Sequence, residues 1–295
     1  MSDLYMNIVP TLKCENDCAF CVCTDFRRKA QEYGTLDLKK LEKTLESTDN
    51  IRDLVIIGGN PFLLEKSYLN RMIDMCYEYL KKPVDLFATL SIPITKVDNP
   101  DKVMFHVSYD PCDRVYHNNM LNDIMKLTVN FDLFMVLTKN LLRDYGAKKL
   151  VQLTQRIGVP IELQDYEVGF GNDLSLRPEP HELAVFIREL LSYDCHTIAL
   201  RAARDVYEPG DPASIYDNHS HIMPDGSFLD NGLYTGKAPN VFQSYNEGLE
   251  YFLKTYKEPD VCENCKYKNV CQKIYCINTH VCDYDRAFME EIKWI

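Results

Sequence analysis

Short apolar runs alternate with amphipathic stretches along the first two thirds of the chain. The runs are rich in β-branched and aromatic residues, which predicts buried strands. The predicted strands are Leu4–Val9, Asp53–Ile57, Val84–Thr89, Val103–Tyr109, Phe131–Leu137 and Pro160–Tyr166. Between them, apolar residues such as Leu38, Leu41 and Leu45 recur at helical spacing. This alternation indicates an α/β fold, which we expect to be a partial (β/α)6 barrel; a doubly wound open sheet has the same pattern.

The pattern changes near residue 195, which predicts a barrel over residues 1–195 and a smaller region over 196–295. A short strand is predicted at 196–200, and Ser220–Phe228 is predicted to form a hairpin. The sequence Pro224-Asp225-Gly226 supplies the residues of its turn. A helix is predicted at Glu247–Tyr256.

Composition narrows the function classes. The net charge is −11 without a run of Lys and Arg, so a nucleic acid is an unlikely partner. We expect a cytoplasmic protein that does not enter a membrane, because the chain has neither a signal-peptide pattern nor an apolar stretch of about 18 residues. The 12 cysteines are then expected to be metal ligands or buried thiols rather than disulfides.

The first cysteine group follows the first predicted strand. Cys14, Cys18 and Cys21 have the spacing C-x3-C-x2-C. Three thiolates on one loop can hold three corners of an iron–sulfur cubane and leave one iron open for a ligand. A structural zinc site needs a fourth ligand, which Cys23 could supply, and a set of buried thiols is the simplest alternative.

These residues resemble the radical S-adenosylmethionine (radical SAM) superfamily, in which C-x3-C-x-aromatic-C follows the first strand. Gly58-Gly59-Asn60-Pro61 resembles the family's Gly-Gly-Glu-Pro segment, with Asn in place of Glu. Ser108-Tyr109-Asp110 is similar to its SxD strand end, and residues 136–140 match its fifth strand. The resemblance covers roughly residues 4–170 and implies a partial TIM-like barrel.

The resemblance also implies a cofactor set. Cys14, Cys18 and Cys21 would hold a [4Fe-4S] cluster that binds SAM, and flavodoxin or ferredoxin would reduce it. The 5′-deoxyadenosyl radical formed from SAM would abstract a substrate hydrogen. The residues implied in SAM binding are Phe20 against the adenine, Ser108 at the ribose, and Gly58, Gly59, Asn60 and Pro61 at the methionine amino group.

A second cysteine group, with spacings x2, x5, x4 and x5, ends the chain. Five thiols in so short a span indicate a metal, but spacing alone does not separate zinc from iron–sulfur. The group resembles the SPASM and twitch extensions of radical SAM enzymes, which implies one auxiliary [4Fe-4S] cluster. The implied ligands are Cys262, Cys265, Cys271 and Cys282, with Cys276 as the alternative fourth ligand.

Other polar residues and thiols have simpler interpretations. Cys76 lies on the apolar side of a predicted helix and is expected in the core. Cys112 and Cys195 are weak candidates for a catalytic hydrogen donor. Glu162, Asp165 and Glu167 are interpreted as a solvated strand end rather than as a site for a cationic substrate group or a proton.

The resemblance favours modification of a ribosomally made peptide, by cross-linking, oxidation or epimerisation, because SPASM-like tails occur widely among such enzymes. The first strand begins at Leu4, so we expect leader recognition, where needed, from a separate protein. The alternative is a dehydrogenase or epimerase of a small molecule such as an amino sugar or aminocyclitol. A third hypothesis is a non-catalytic iron–sulfur or zinc protein.

Overall fold

The fold is that of a computed structural model, which describes most of the chain. The described residues are 4–28, 30–90, 93–114, 120–166, 171–193, 198–200, 220–229, 241–255, 263–266, 283, 286–288 and 290–291. The strands are β1 (Leu4–Ile8), β2 (Ile51–Ile56), β3 (Val84–Ala88), β4 (Val103–Ser108), β5 (Phe131–Val136), β6 (Ile161–Gln164), β7 (Ile198–Leu200), β8 (Ser220–Ile222), β9 (Phe228–Leu229) and β10 (Val241–Phe242).

All ten strands form one sheet, in the order β10-β9-β8-β1-β2-β3-β4-β5-β6-β7. From β1 to β7 each strand is parallel to the next, and β8 also runs parallel to β1. The pairs β8–β9 and β9–β10 are antiparallel. Within the described residues β7 and β10 stay at the two edges, so the sheet is open, which is consistent with the predicted partial barrel.

Helices connect the parallel strands, and one further helix follows β10. Their bounds are α1 (Thr24–Arg28), α2 (Ala30–Tyr33), α3 (Leu38–Ser47), α4 (Lys66–Leu80), α5 (Met120–Ile124), α6 (Gly146–Ile157), α7 (Pro180–Leu191) and α8 (Tyr245–Thr255). The Asp37 carboxylate caps α3 by accepting from the Lys39 N–H. Gly158 ends α6 in the left-handed conformation, at φ 77°. No described helix combines the length and hydropathy that a membrane crossing needs.

The two faces of the sheet differ in polarity. Leu86, Phe105, Leu133 and Leu163 are fully buried and belong to the main apolar core. The alternate residues of the same strands point to the opposite, inner face, and many of them are polar or half-buried. This alternation along parallel strands is what the interior of a partial barrel requires.

The sequence-based fold prediction is confirmed. Each of the six predicted strands forms, with ends within two residues of the prediction. The predicted hairpin is β8–β9, and its turn residue Gly226 has φ 83°. The boundary at residue 195 stays a prediction; strands from both sides of it share one sheet.

Candidate active site

The cysteine loop after β1 is fixed by the loop after β2. The Gly59 N–H donates to the carbonyl of Thr11 at 2.9 Å, and the Asn60 N–H donates to the carbonyl of Lys13 at 2.7 Å. The parallel pairing of β1 and β2 therefore continues past both strand ends. Because of this continuation Cys14 lies beside the Gly-Gly segment, as the sequence predicts for the carboxyl edge of the sheet.

The three thiols of the loop differ in burial. Cys18 is buried, at 6% exposure, whereas Cys14 and Cys21 are partly exposed. Burial raises the pKa of the Cys14 and Cys18 thiols above the ordinary range. A hydrogen bond with Cys23, aided by the nearby Arg27, lowers the pKa of Cys21 to about 6. Cys23 itself lies in a small apolar cluster under the loop.

Arg27 in α1 faces the cysteine loop. Burial opposes its charge, but Cys21, Cys14 and Cys18 outweigh that effect and raise the pKa of Arg27. One nitrogen of the guanidinium donates to the backbone carbonyl of Asn16. Its Nε is buried and has no hydrogen-bond partner among the described residues. This cation is therefore placed to offset the negative charge of metal-bound thiolates.

The donor set of the loop suits an iron–sulfur cluster. Cys14, Cys18 and Cys21 are three thiols on one short loop, and thiolates are the protein ligands of such clusters. Three thiolates can bind three irons of a cubane and leave the fourth iron open. The three cysteines therefore fit a [4Fe-4S] group.

A second arginine approaches the cysteine loop from the other side. Arg114 follows β4, and its Nε donates to Cys18 Sγ at 3.1 Å. Its Nη2 lies 3.1 Å from the Asp110 carboxylate, and both side chains are almost fully buried. The guanidinium also covers the ring of Phe20 at 5.6 Å. The sequence analysis missed Arg114, although the Asp110-x3-Arg114 spacing was a visible signal.

The two glycines after β2 are required by packing. Gly58 has φ 121°, which favours glycine, and a Cβ there would lie 2.5 Å from Val9 Cγ1. A Cβ at Gly59 would overlap the Lys13 carbonyl oxygen and lie 2.7 Å from the Leu12 carbonyl carbon. Because these two residues have no Cβ, the segment packs directly against the backbone of the cysteine loop.

Asn60 is a buried connector, only 1% exposed. Its Oδ1 accepts the N–H of Phe62 at 3.0 Å, which caps a 3-10 turn that starts at Pro61. Its Nδ2 donates to Glu15 at 2.6 Å and to Thr89 at 3.2 Å. The backbone N–H of Phe62 therefore uses one of the two acceptor sites of this side-chain carbonyl.

The comparisons with known proteins support the fold. No protein-family model matches the chain, and no curated protein matches it significantly. Streptococcus suis SuiB bound to precursor peptide SuiA covers 92% of this chain and 71% of its own, with TM-score 0.68 and 14% identity. The histidine-tagged anSMEcpe with bound AdoMet covers 98% and 96%, with TM-score 0.69 and 16% identity. The chain therefore shares its fold with SuiB and anSMEcpe.

The remaining predicted site residues lie around this loop. Phe20 is buried with Cys18 and Tyr166 in a small apolar cluster. Ser108 ends β4, and its backbone carbonyl lies 3.4 Å from Arg114 Nη1. The contacts that these residues would make with SAM stay predictions.

The other cysteines are only partly described. Cys76 is fully buried, as predicted, and burial raises its pKa to about 12. Cys112 is half-buried, with its pKa raised to about 11 mainly by burial. Cys265 is partly exposed. Residues outside the described part of the chain include Cys195, Cys262, Cys271, Cys276 and Cys282.

One polar group on the inner face was not predicted. His106 on β4 lies between Asp132 on β5, at 2.9 Å, and Asp85 on β3, at 3.1 Å. Glu162 on β6 completes the group and is 7% exposed, so its interpretation as a solvated strand end was wrong. The strand register brings these residues together, and each occupies an inward position of its strand.

Proposed function

We propose that this protein is a radical SAM enzyme whose Cys14, Cys18 and Cys21 hold a SAM-binding [4Fe-4S] cluster. The observation that carries the proposal is the geometry of the cysteine loop. Three thiols stand on one loop at the carboxyl edge of a parallel sheet, and the guanidinium groups of Arg27 and Arg114 lie beside them. An open iron remains where only three thiolates bind.

When bound and reduced, the cluster would supply the one electron that cleaves SAM to methionine and a 5′-deoxyadenosyl radical, the species that abstracts a substrate hydrogen. The chain's own residues anchor and shield this chemistry. Gly59 and Asn60 tether the cysteine loop through backbone hydrogen bonds. Phe20 and Tyr166 pack around Cys18 and keep water from that side of the loop.

We assign the SAM-binding residues by the same reasoning. Gly58, Gly59 and Pro61 line the edge next to Cys14 and suit the methionine end of SAM. Asn60 supports this edge by donating to Glu15, and its Oδ1, which accepts the Phe62 N–H, keeps a second acceptor site for the methionine amino group. Ser108 and Phe20 stand on the Cys18 side and suit the nucleoside end.

We propose a peptide as the substrate. SuiB has been solved with precursor peptide SuiA, and native anSMEcpe with AdoMet and the Kp18Cys peptide at TM-score 0.68 and 15% identity. Both cover more than nine tenths of this chain. The reductant would be flavodoxin or ferredoxin, and a separate protein would present the peptide. The cysteine-rich tail would hold one auxiliary [4Fe-4S] cluster.

The test of the cluster and of SAM cleavage uses anaerobically reconstituted protein. Changing Cys14, Cys18 and Cys21 together to Ala should remove about four irons per chain and abolish 5′-deoxyadenosine formation. A Cys76→Ala control, which removes a fully buried thiol of α4, should keep both. Continued production of 5′-deoxyadenosine by the triple variant would contradict the proposal.

The test of the substrate class follows hydrogen transfer. Deuterated precursor peptides from neighbouring genes should transfer deuterium to 5′-deoxyadenosine, as measured by mass spectrometry. Transfer from a deuterated amino sugar or aminocyclitol, and from no peptide, would replace the peptide assignment by the small-molecule alternative.

A further inference from the structure

Arg114 is held against the cysteine loop by a dedicated partner. The buried Asp110 carboxylate pairs with Arg114 Nη2 at 3.1 Å, and its other oxygen accepts the Val136 N–H at 3.0 Å. Asp110 is thereby fixed between the ends of β4 and β5, and its salt bridge helps to orient the Arg114 guanidinium. In this orientation Arg114 Nε donates a hydrogen bond to Cys18 Sγ at 3.1 Å.

Two further contacts restrict the guanidinium to this direction. It covers the ring of Phe20, two residues beyond Cys18, with 5.6 Å between the guanidinium carbon and the ring centroid. Its Nη1 lies 3.4 Å from the Ser108 carbonyl. The Arg114 side chain is only 8% exposed, so water screens its charge weakly.

An N–H donor and a positive charge next to a cluster thiolate raise the reduction potential of the cluster. Reduction adds one negative charge to the cluster, and a nearby cation stabilises the reduced form more than the oxidised form. Hydrogen bonds to the sulfurs and local charge are among the factors that set iron–sulfur potentials.

We infer that Arg114 is a positioning residue that raises the reduction potential of the SAM-cleaving cluster through its hydrogen bond to Cys18, and that Asp110 limits this effect. The inference rests on the proposed function, because it requires a cluster on Cys18. It goes beyond that function by assigning a redox role to a buried ion pair that touches one ligand.

The charge of Asp110 provides a second test of the inference, with a potential shift of the opposite sign. Asp110 lies close enough to Cys18 for its charge to act on that thiol in the opposite sense to Arg114. Removing the carboxylate charge should therefore raise the potential, whereas removing the guanidinium should lower it. A general loosening of the cysteine loop would shift the midpoint potentials of both variants in the same direction.

The experiment is a potentiometric titration of the cluster on the anaerobically reconstituted Cys262→Ala/Cys265→Ala/Cys271→Ala protein, followed by EPR without SAM. Removing these tail cysteines leaves the signal of the SAM-cleaving cluster alone. In that background Arg114→Met should shift the midpoint to a more negative value, and Arg114→Lys should shift it less. Asp110→Asn keeps an acceptor for Val136 and leaves the contacts of Arg114 with Phe20 and with the Ser108 carbonyl in place, so it should shift the midpoint to a more positive value.

The variant Asp110→Asn/Arg114→Met guards against misfolding, because it leaves no unpaired buried carboxylate. Its midpoint should lie below that of Asp110→Asn alone. The matched control is Arg71→Met, which removes an exposed arginine of α4 and should leave the midpoint unchanged. Iron content is measured for each protein, and only proteins with equal iron are compared.

Unchanged midpoints in all the Arg114 and Asp110 variants would overturn the inference, as would shifts of one sign in both. Weaker SAM binding by Arg114→Met at an unchanged midpoint would overturn it too, since Arg114 would then contact the cofactor and not the cluster. Failure of the proposed function is distinct: the parent protein would form no 5′-deoxyadenosine with a strong chemical reductant, whatever the midpoints show.

Discussion

At the scale of single residues, Asn60 connects two functional segments through one amide. Its Nδ2 holds Glu15, which lies between Cys14 and Cys18, while its Oδ1 caps the turn at Phe62. A carboxamide suits this position because it donates and accepts at once. A glutamate or aspartate here would instead face the Glu15 carboxylate.

Asn60→Asp should therefore loosen the cysteine loop. It replaces a bond to a charged acceptor by the repulsion of two carboxylates, and losing such a bond costs about 2 kcal/mol. We expect a lower melting temperature of the apoprotein and less iron after reconstitution. Adding Glu15→Gln should restore part of both by removing the repulsion, and an unchanged iron content in Asn60→Asp would contradict this role.

His106 predicts a pH dependence of stability. Burial opposes its protonation, but hydrogen bonds to Asp132 and Asp85 outweigh burial and raise its pKa to about 9, above the ordinary value of 6.5. A raised folded-state pKa stabilises the fold fully below about pH 6.5, and this stabilisation is lost as the pH rises through about 9. Its size is on the order of 3 kcal/mol.

The measurement is the free energy of unfolding of the apoprotein between pH 6 and about pH 9.5. The wild type should lose stability over this window, and His106→Gln should show a flatter profile. His181→Gln is the matched control, because this imidazole is exposed and contacts only Glu291 among the pairs described. A parallel profile for wild type and His106→Gln would disprove the charged His106.

At the scale of elements, the Gly58-Gly59 segment joins β2 to the cysteine loop. Sequence resemblance assigns these glycines to SAM alone, and on that basis Gly59→Val should weaken SAM binding with the cluster in place. The structure adds a second reason, since any Cβ at Gly59 meets the backbone of residues 12 and 13.

Gly59→Ala should therefore lower iron content as well as SAM affinity. Forcing a methyl group into packed backbone costs about 1–3 kcal/mol, and the displaced atoms directly precede Cys14. Gly158→Ala is the control, because it carries a left-handed φ of 77° but no atom within 4 Å of its Cβ. If Gly59→Ala binds its full iron content and only its SAM affinity falls, then Gly59 is required for SAM binding alone and not for the cysteine loop.

Elements were predictable from the sequence where one face of the sheet is uniformly apolar. Leu86, Phe105 and Leu133 stand in short runs rich in apolar, β-branched and aromatic residues, which mark β3, β4 and β5 without knowledge of their partners. The Pro-Asp-Gly turn likewise predicts the β8–β9 hairpin. The pairing of β8 with β1 was not predictable, because it joins strands about two hundred residues apart in the sequence.

The site residues likewise divide into those that the sequence predicts and those that only the structure brings together. Cysteine spacing and the Gly-Gly segment are local signals, so Cys14, Cys18 and Cys21 were found from the sequence. Arg114 and Glu162 depend on residues from other strands, and only the register brings them to Cys18 and His106. Marking the polar residues at inward strand positions would have suggested the His106 group.

At the scale of the whole molecule, the similarity to anSMEcpe covers 98% of the chain and therefore includes the cysteine-rich end. Described residues near that end return to the barrel. Phe288 packs against the main core, and the Glu291 carboxylate lies 3.3 Å from His181 in α7. Lys266, next to Cys265, forms an ion pair with Glu290. Phe288 and Glu291 therefore contact the barrel.

The last prediction concerns which metal the tail binds and through which thiols. Protein without Cys14, Cys18 and Cys21 should keep about four irons per chain, the content of one cubane. Cys262, Cys265 and Cys271 follow the SPASM-like spacing, so the fourth ligand is Cys282 or Cys276.

Adding Cys282→Ala to that variant should lower the remaining iron, whereas adding Cys276→Ala should largely spare it, because the resemblance implies Cys282 as the fourth ligand. The paired variants are matched controls, since each removes one thiol from the same segment. The reverse pattern would assign Cys276, and tightly bound zinc in anaerobic protein would exclude the auxiliary cluster. Four thiolates leave no open iron, so this cluster would transfer electrons or support the fold rather than bind substrate.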